Sequence, residues 1–136
     1  MPEFDAWASG FPLTLLHVSV ALVILAAGAA LYAAVTPHRE IQLIREGNTA
    51  AALSFGGVLV GIALPLAFAL ASSTSVTEIA LWGATTIVVQ LALFWLVDLL
   101  LRGLPRRIKQ GEVAAAALLV GVKLAVAAIL AAAVSG

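Results

Sequence analysis

Four apolar runs, each about as long as a bilayer crossing, take up most of this chain. A membrane-spanning helix needs roughly 20 mostly apolar residues. The stretches at about Phe11–Val35, Thr49–Ala71, Thr77–Leu101 and Val113–Val134 meet that requirement. Only 10% of the residues are charged, against about 25% in a soluble domain. The expected fold is an all-α membrane protein with four transmembrane helices. No stretch is left over for a soluble domain, so residues 1–136 read as a single membrane domain.

The few charges set the expected orientation. Arg39 and Arg45 lie between the first two runs, and Arg102, Arg106, Arg107 and Lys109 between the last two. The other side carries Glu3, Asp5 and Glu78 and no Lys or Arg. The positive-inside rule places both basic connectors in the cytoplasm and both termini outside it. The N-terminus, "MPEFDAWASG", has no basic region and does not read as a standard cleavable signal peptide.

The chain also matches itself at an offset of 64 residues. "IREGNTAAALSFGGV" (Ile44–Val58) lies over "IKQGEVAAAALLVGV" (Ile108–Val122), with Ile44, Gly47, Ala50, Ala51, Ala52, Gly57 and Val58 identical to their mates. Each half is helix, basic connector, helix, with both connectors on one side. Two parallel repeats of a helical hairpin are therefore expected, repeat one at about 11–72 and repeat two at about 77–136, related by a pseudo-two-fold along the membrane normal. Chance matching of Ala-rich spans is the competing explanation.

The first connector, "TPHREIQLIREGNT", reads as a short interfacial amphipathic helix. Thr36 is expected to cap it, Pro37 to suit its first turn and Glu40 to favour its positive end. Arg39, Glu40, Arg45 and Glu46 are expected in water. Gly47 is placed to stop the helix in a left-handed turn, and Asn48 or Thr49 to cap the next span. Two uses stand beside each other: a solvated connector, or a docking surface for a cytoplasmic partner or anionic lipid. The docking candidates are Arg39, Glu40, Arg45, Asn48, Arg106, Arg107 and Lys109.

Close packing, in the seams of a compact bundle or of an oligomer, is signalled in span two by Ala50, Ser54, Gly57 and Gly61, and in span four by Ala117, Gly121 and Ala125. Pro65 removes the N–H that would bond the Gly61 carbonyl, so a kink is expected there.

Ionisable groups at membrane depth are costly; a lysine at mid-span costs about 2.5–3.5 kcal/mol even on the lenient insertion scale. Lys123 is expected near the middle of span four. Asp98 lies toward the cytoplasmic end of span three and leans toward it. Gln90 and His17 complete a candidate intramembrane polar site. The functional reading is a polar path or a site for an ion or polar solute. The structural reading is a neutralised pair or a snorkelling lysine. Ser75 and Glu78 form a capping-box pattern, and Trp7, Trp82 and Tyr32 sit where interfacial aromatics do.

No metal site is expected, because His17 and His38 fall on opposite sides of the membrane and the chain has no cysteine. No catalytic constellation, cofactor motif or nucleic-acid signature stands out, and "GGVLVG" is a packing pattern. The expectation is that the chain is not an enzyme and has no cofactor.

The block Thr36-Pro37, Glu40, Ile44, Asn48-Thr49-Ala50-Ala51, with Gly57, Gly61, Pro65, Trp82-Gly83 and Gln90, resembles the YjfL-type bacterial inner-membrane proteins, the domain-of-unknown-function 350 family. The resemblance runs from about Leu15 to Val134. It implies four membrane helices in two copies of a two-helix unit, and a link to envelope stress or polyamine-related work. The second copy departs from the pattern at Glu112, the mate of Asn48. Asp98 and Lys123 look particular to this chain.

The expected function is that of a non-enzymatic bacterial inner-membrane component that docks a cytoplasmic protein through its basic connectors. The alternative is a small oligomeric channel or transporter for ions or small cationic solutes. The expected partners are the lipid bilayer, further copies of the chain (a dimer is favoured) and a cytoplasmic protein.

Overall fold

The computed structural model describes residues 1–36 and 40–135. Pro37, His38 and Arg39 lie outside the described residues, and with them the expected roles of Pro37 in a helix start and of Arg39 in docking. Six helices follow one another: α1 (Pro2–Val35), α2 (Glu40–Arg45), α3 (Thr49–Ser72), α4 (Val76–Leu100), α5 (Gly103–Lys109) and α6 (Val113–Ser135). Four of them, α1, α3, α4 and α6, are long and apolar enough to cross a membrane. Hydrocarbon offers no hydrogen bonds, so a span must satisfy its backbone internally, and helices do so.

The spans stop and start where their chemistry dictates. Asn48 accepts a hydrogen bond from the Ala51 N–H and caps α3, and Ser75 does the same for α4 through Glu78. Gly47 and Gly111 hold the left-handed conformation, with φ of 87° and 86°. Only glycine takes that shape at no steric cost. The helical segment α1 begins well before Phe11, and its first turns carry a ladder of Phe4, Trp7 and Phe11 rings. Thr36 ends α1, its hydroxyl donating to the Tyr32 carbonyl at 2.6 Å; its expected capping of the next helix falls on residues outside the described ones. A threonine hydroxyl serves a preceding carbonyl as readily as a following N–H.

Packing is built on close approach. The central pair is α3 against α6, with α1 laid against α4. At Gly57 an added Cβ would sit 2.5 Å from Val120, and at Gly61 2.5 Å from the Phe94 ring. The α1–α4 contact is reciprocal: Gly28 receives Ile87, and Gly83 receives Ile24. Ser54, Gly57, Gly61 and Pro65 are all buried on the inner face of α3. Gly121 is not. It faces outward with Ala117 and Ala125, and the inner face of α6 runs instead through Ala116, Leu119, Lys123 and Ala127. Of the two expected uses of the Ala117, Gly121 and Ala125 stripe, the seam of the bundle and the seam of an oligomer, the bundle seam runs instead along the adjacent face.

The two connectors fold alike. Gly47 N–H bonds the Ile44 carbonyl and Asn48 N–H the Leu43 carbonyl; Gly111 and Glu112 bond Ile108 and Arg107 in the same pattern, 64 positions on. The second basic connector contains a helix, α5, where the sequence showed only a basic linker.

Candidate functional site

Toward the connector end of the bundle, three helices converge on one ammonium group. Lys123, on α6, is 1% exposed. Its Nζ lies 2.9 Å from Oδ1 of Asp98 on α4 and donates to the Tyr32 hydroxyl on α1 at 2.9 Å. The Asp98 contact is an ion pair by charge and distance, without the alignment of a hydrogen bond. Nζ also sits 5.0 Å from the centre of the Tyr32 ring and 5.3 Å from that of Phe94, close enough for the ring faces to attract it. The lysine is held from several sides and does not snorkel.

Glu40 is the member that the sequence misplaced. It was expected in water and is 5% exposed. As the first residue of α2 it tucks over α3, where Ser54 Oγ donates to its Oε1 at 3.2 Å. Its Oε2 is buried and finds no partner among the described residues. Burial pushes the Glu40 carboxyl above its ordinary range, while the Lys123 charge and the Ser54 hydroxyl pull it back. Tyr32, expected at the interface, is buried as well. Nothing local in the sequence marks either residue for burial; only the fold of α2 over α3 brings Glu40 inside.

The other candidates fall elsewhere. Gln90 lies two turns from Asp98 on α4, about 12 Å along the axis. Its Nε2 donates at 2.5 Å to the Gly61 carbonyl, the acceptor that Pro65 leaves without its helical partner. Gln90 therefore closes the gap that Pro65 leaves in the hydrogen bonding of α3. His17 lies on α1, about 22 Å along the axis from Tyr32, and the structure does not bring it into the cluster. Gln90, Asp98, Lys123 and His17 thus do not share one site; Asp98 and Lys123 do.

Asn48 does more than cap. Its Nδ2 lies within donating reach of the carbonyls of Ile108 and Lys109, at 3.1 and 3.3 Å, and so ties the α2 connector to α5. Around this tie Arg45, Arg102, Arg106, Arg107 and Lys109 are exposed. Arg107 pairs with Glu112, which holds the Glu112 carboxyl below its ordinary range. A cavity of about 440 Å³ opens beside them, between α1, α4 and α5, with Asp98 and Tyr32 in its wall. Among the described residues no cluster of His, Asp or Glu is arranged to hold a metal ion.

The model of the Domain of Unknown Function (DUF350) family matches residues 6–134. The UPF0719 inner membrane protein YjfL of Escherichia coli K12 is 39% identical over 85 residues, which is 62% of this chain and 64% of that protein. The protein of the same name from Escherichia coli O157:H7 matches equally. The aligned part is thus less than two thirds of either relative's length. No solved structure matches. With the family pattern extending over nearly all of the four helices and both connectors, the chain belongs to the DUF350 family of uncharacterised membrane proteins.

Proposed function

We propose that this chain is a non-enzymatic component of the bacterial inner membrane that holds a cytoplasmic protein partner at its connector face. The observation that carries the reading is the Asn48 tie. It joins two connectors 60 residues apart in sequence into one surface, on which Arg45, Arg106 and Lys109 are exposed. A merely solvated connector has no need of such a tie. In this reading the connectors face the cytoplasm and both termini lie outside it, an orientation that the positive-inside rule supports. The name of the Escherichia coli relatives supports the inner-membrane setting, and the family resemblance supports envelope-stress or polyamine-linked work.

The proposal includes a duplicated hairpin. Matching left-handed glycines and matching connector hydrogen bonds at an offset of 64 support it. The polar cluster then belongs to one register only: Tyr32, Glu40, Asp98 and Lys123 have Leu96, Leu104, Ala34 and Leu59 as mates. Self-association, with a dimer favoured, is supported by the outward stripe of Ala117, Gly121 and Ala125.

The lack of native cysteine makes a clean test. Single cysteines replacing Glu46 and Gln110 are exposed to a membrane-impermeant maleimide in intact cells and in inverted vesicles, before and after salt stripping. The reading expects no labelling in cells, weak labelling in native inverted vesicles and strong labelling after stripping. Equal labelling before and after stripping would refute docking; labelling in intact cells would refute the orientation.

One observation favours a second reading, an oligomeric channel or transporter. Asp98 is 18% exposed at the cavity wall while its partner Lys123 is enclosed, so the buried charge communicates with the connector side. Flux of protons, K⁺, Na⁺ or spermidine through proteoliposomes, abolished by Lys123→Met and Asp98→Asn, is its test.

A further inference from the structure

The cavity between α1, α4 and α5 changes character along its length. Its deeper wall is apolar, formed by Leu91, Trp95 and Leu99. These residues are spaced by fours and so share one face of α4. Beyond the end of α4, Arg102 in the following turn and Arg106 and Lys109 on α5 line the cavity at its connector end. Apolar side chains give way to cations over about three turns, in the direction in which a phospholipid changes from acyl chain to phosphate.

The charge balance has a sign. Asp98 is the one carboxylate in the lining, and Lys123 offsets it. Among the described residues, none of the three cationic lining residues has a salt-bridge partner; Arg107, which does, is not part of the lining. A cavity ringed by unpaired cations attracts an anion. Trp95 and Leu99 are 63% and 43% exposed, so the apolar wall opens sideways toward the bilayer. The positive-inside rule accounts for cations near the membrane, but not for three of them turned into one cavity above an apolar wall.

We infer that this cavity seats an anionic phospholipid, its phosphate among Arg102, Arg106 and Lys109 and its upper acyl chain against Leu91, Trp95 and Leu99. A free phosphate would engage only the cations and leave the apolar wall unused. The inference goes beyond partner docking and does not depend on it, since it concerns lipid and protein alone.

Trp95 reports the site directly. With Trp7→Phe and Trp82→Phe it becomes the sole tryptophan, and the full chain is reconstituted in phosphatidylcholine. Acyl-brominated phosphatidylglycerol is expected to quench it several-fold more than acyl-brominated phosphatidylcholine at the same low mole fraction. The triple variant Arg102→Gln, Arg106→Gln, Lys109→Gln is expected to lose that excess, and Arg45→Gln with Arg107→Gln to keep it. Because the triple variant also removes charges that orient the chain, Val35→Phe serves as the second probe. It narrows the cavity without altering charge and is expected to reduce the excess as well. Equal quenching by the two lipids would overturn the inference, as would an excess that survives both the triple variant and Val35→Phe. Loss of the excess on adding glycerol phosphate or an acidic peptide would assign the cations to a soluble anion and overturn it too.

Discussion

Lys123 and Asp98 form an ion pair at 2.9 Å whose two members are unequally buried: the lysine side chain is 1% exposed and the aspartate 18%. That inequality decides which half of the pair is the more costly to lose. Removing one partner of a buried pair strands the other.

Asp98→Asn strands an enclosed ammonium and is expected to cost about 3–5 kcal/mol. Lys123→Met strands a carboxylate that can draw water from the cavity, and is expected to cost less, about 1–3 kcal/mol. The double variant Asp98→Asn, Lys123→Met is expected to recover most of the loss, since a well-packed apolar group can replace a buried pair. Thermal unfolding in detergent of the four proteins completes the cycle. Equal single losses that simply add would show that the pair is not coupled.

Gln90 and Pro65 make a second cycle. The Gln90 amide bonds the Gly61 carbonyl because Pro65 has no N–H to offer it. Gln90→Leu is expected to cost about 1–3 kcal/mol by leaving that carbonyl bare. In a Pro65→Ala background the helix supplies its own N–H, and the same substitution is expected to become nearly neutral. A loss of the same size in both backgrounds would mean that Gln90 stabilises the bundle by some other contact.

What could be read in advance follows from how local each signal is. The four spans, the left-handed Gly47 and the Asn48 cap rest on neighbours a few residues away, and the sequence shows them. The charge pair was legible because both members are costly in hydrocarbon and their helices start from opposite sides. Glu40 and Tyr32 were not legible. A glutamate in a polar connector and a tyrosine at a span end carry no local sign of burial; Glu40 is buried because α2 folds back over α3, and Tyr32 because it packs among Val58, Ile62, Ile87 and Phe94. Gln90 illustrates a half-read signal: the bare carbonyl of Gly61 followed from Pro65, but the residue that fills it comes from another helix. The small residues of α6 showed that a seam exists without showing which of two adjacent faces meets α3.

Gly57 and Gly121, 64 positions apart, are expected to answer oppositely to alanine. At Gly57 the new methyl meets Val120 at 2.5 Å on the inner seam, so Gly57→Ala is expected to cost about 1–3 kcal/mol through overpacking. At Gly121 nothing lies within 4 Å, and alanine is the better helix former by about 0.8–1.0 kcal/mol, so Gly121→Ala is expected to be neutral or stabilising. Thermal unfolding of monomeric protein compares the two. A large loss at Gly121 that appears only in the self-associated form would place that face in the dimer contact.

Glu40 makes stability depend on pH with a definite sign. Its carboxyl is raised above the ordinary value of 4.5, chiefly because burial disfavours its charged form. The folded state therefore holds the proton more tightly than the unfolded state. The resulting contribution is complete below the unfolded value and is lost as pH rises through the folded one. While the proton is being lost, the slope for one group is at most about 1.4 kcal/mol per pH unit. Glu40→Gln mimics the neutral form and keeps an oxygen for the Ser54 hydroxyl. It is expected to flatten this part of the pH profile and to leave the protein at least as stable as the parent at neutral pH. If instead the variant is clearly less stable at neutral pH, Glu40 works there as an anion beside Lys123, and the buried cluster carries one more negative charge than the geometry favours.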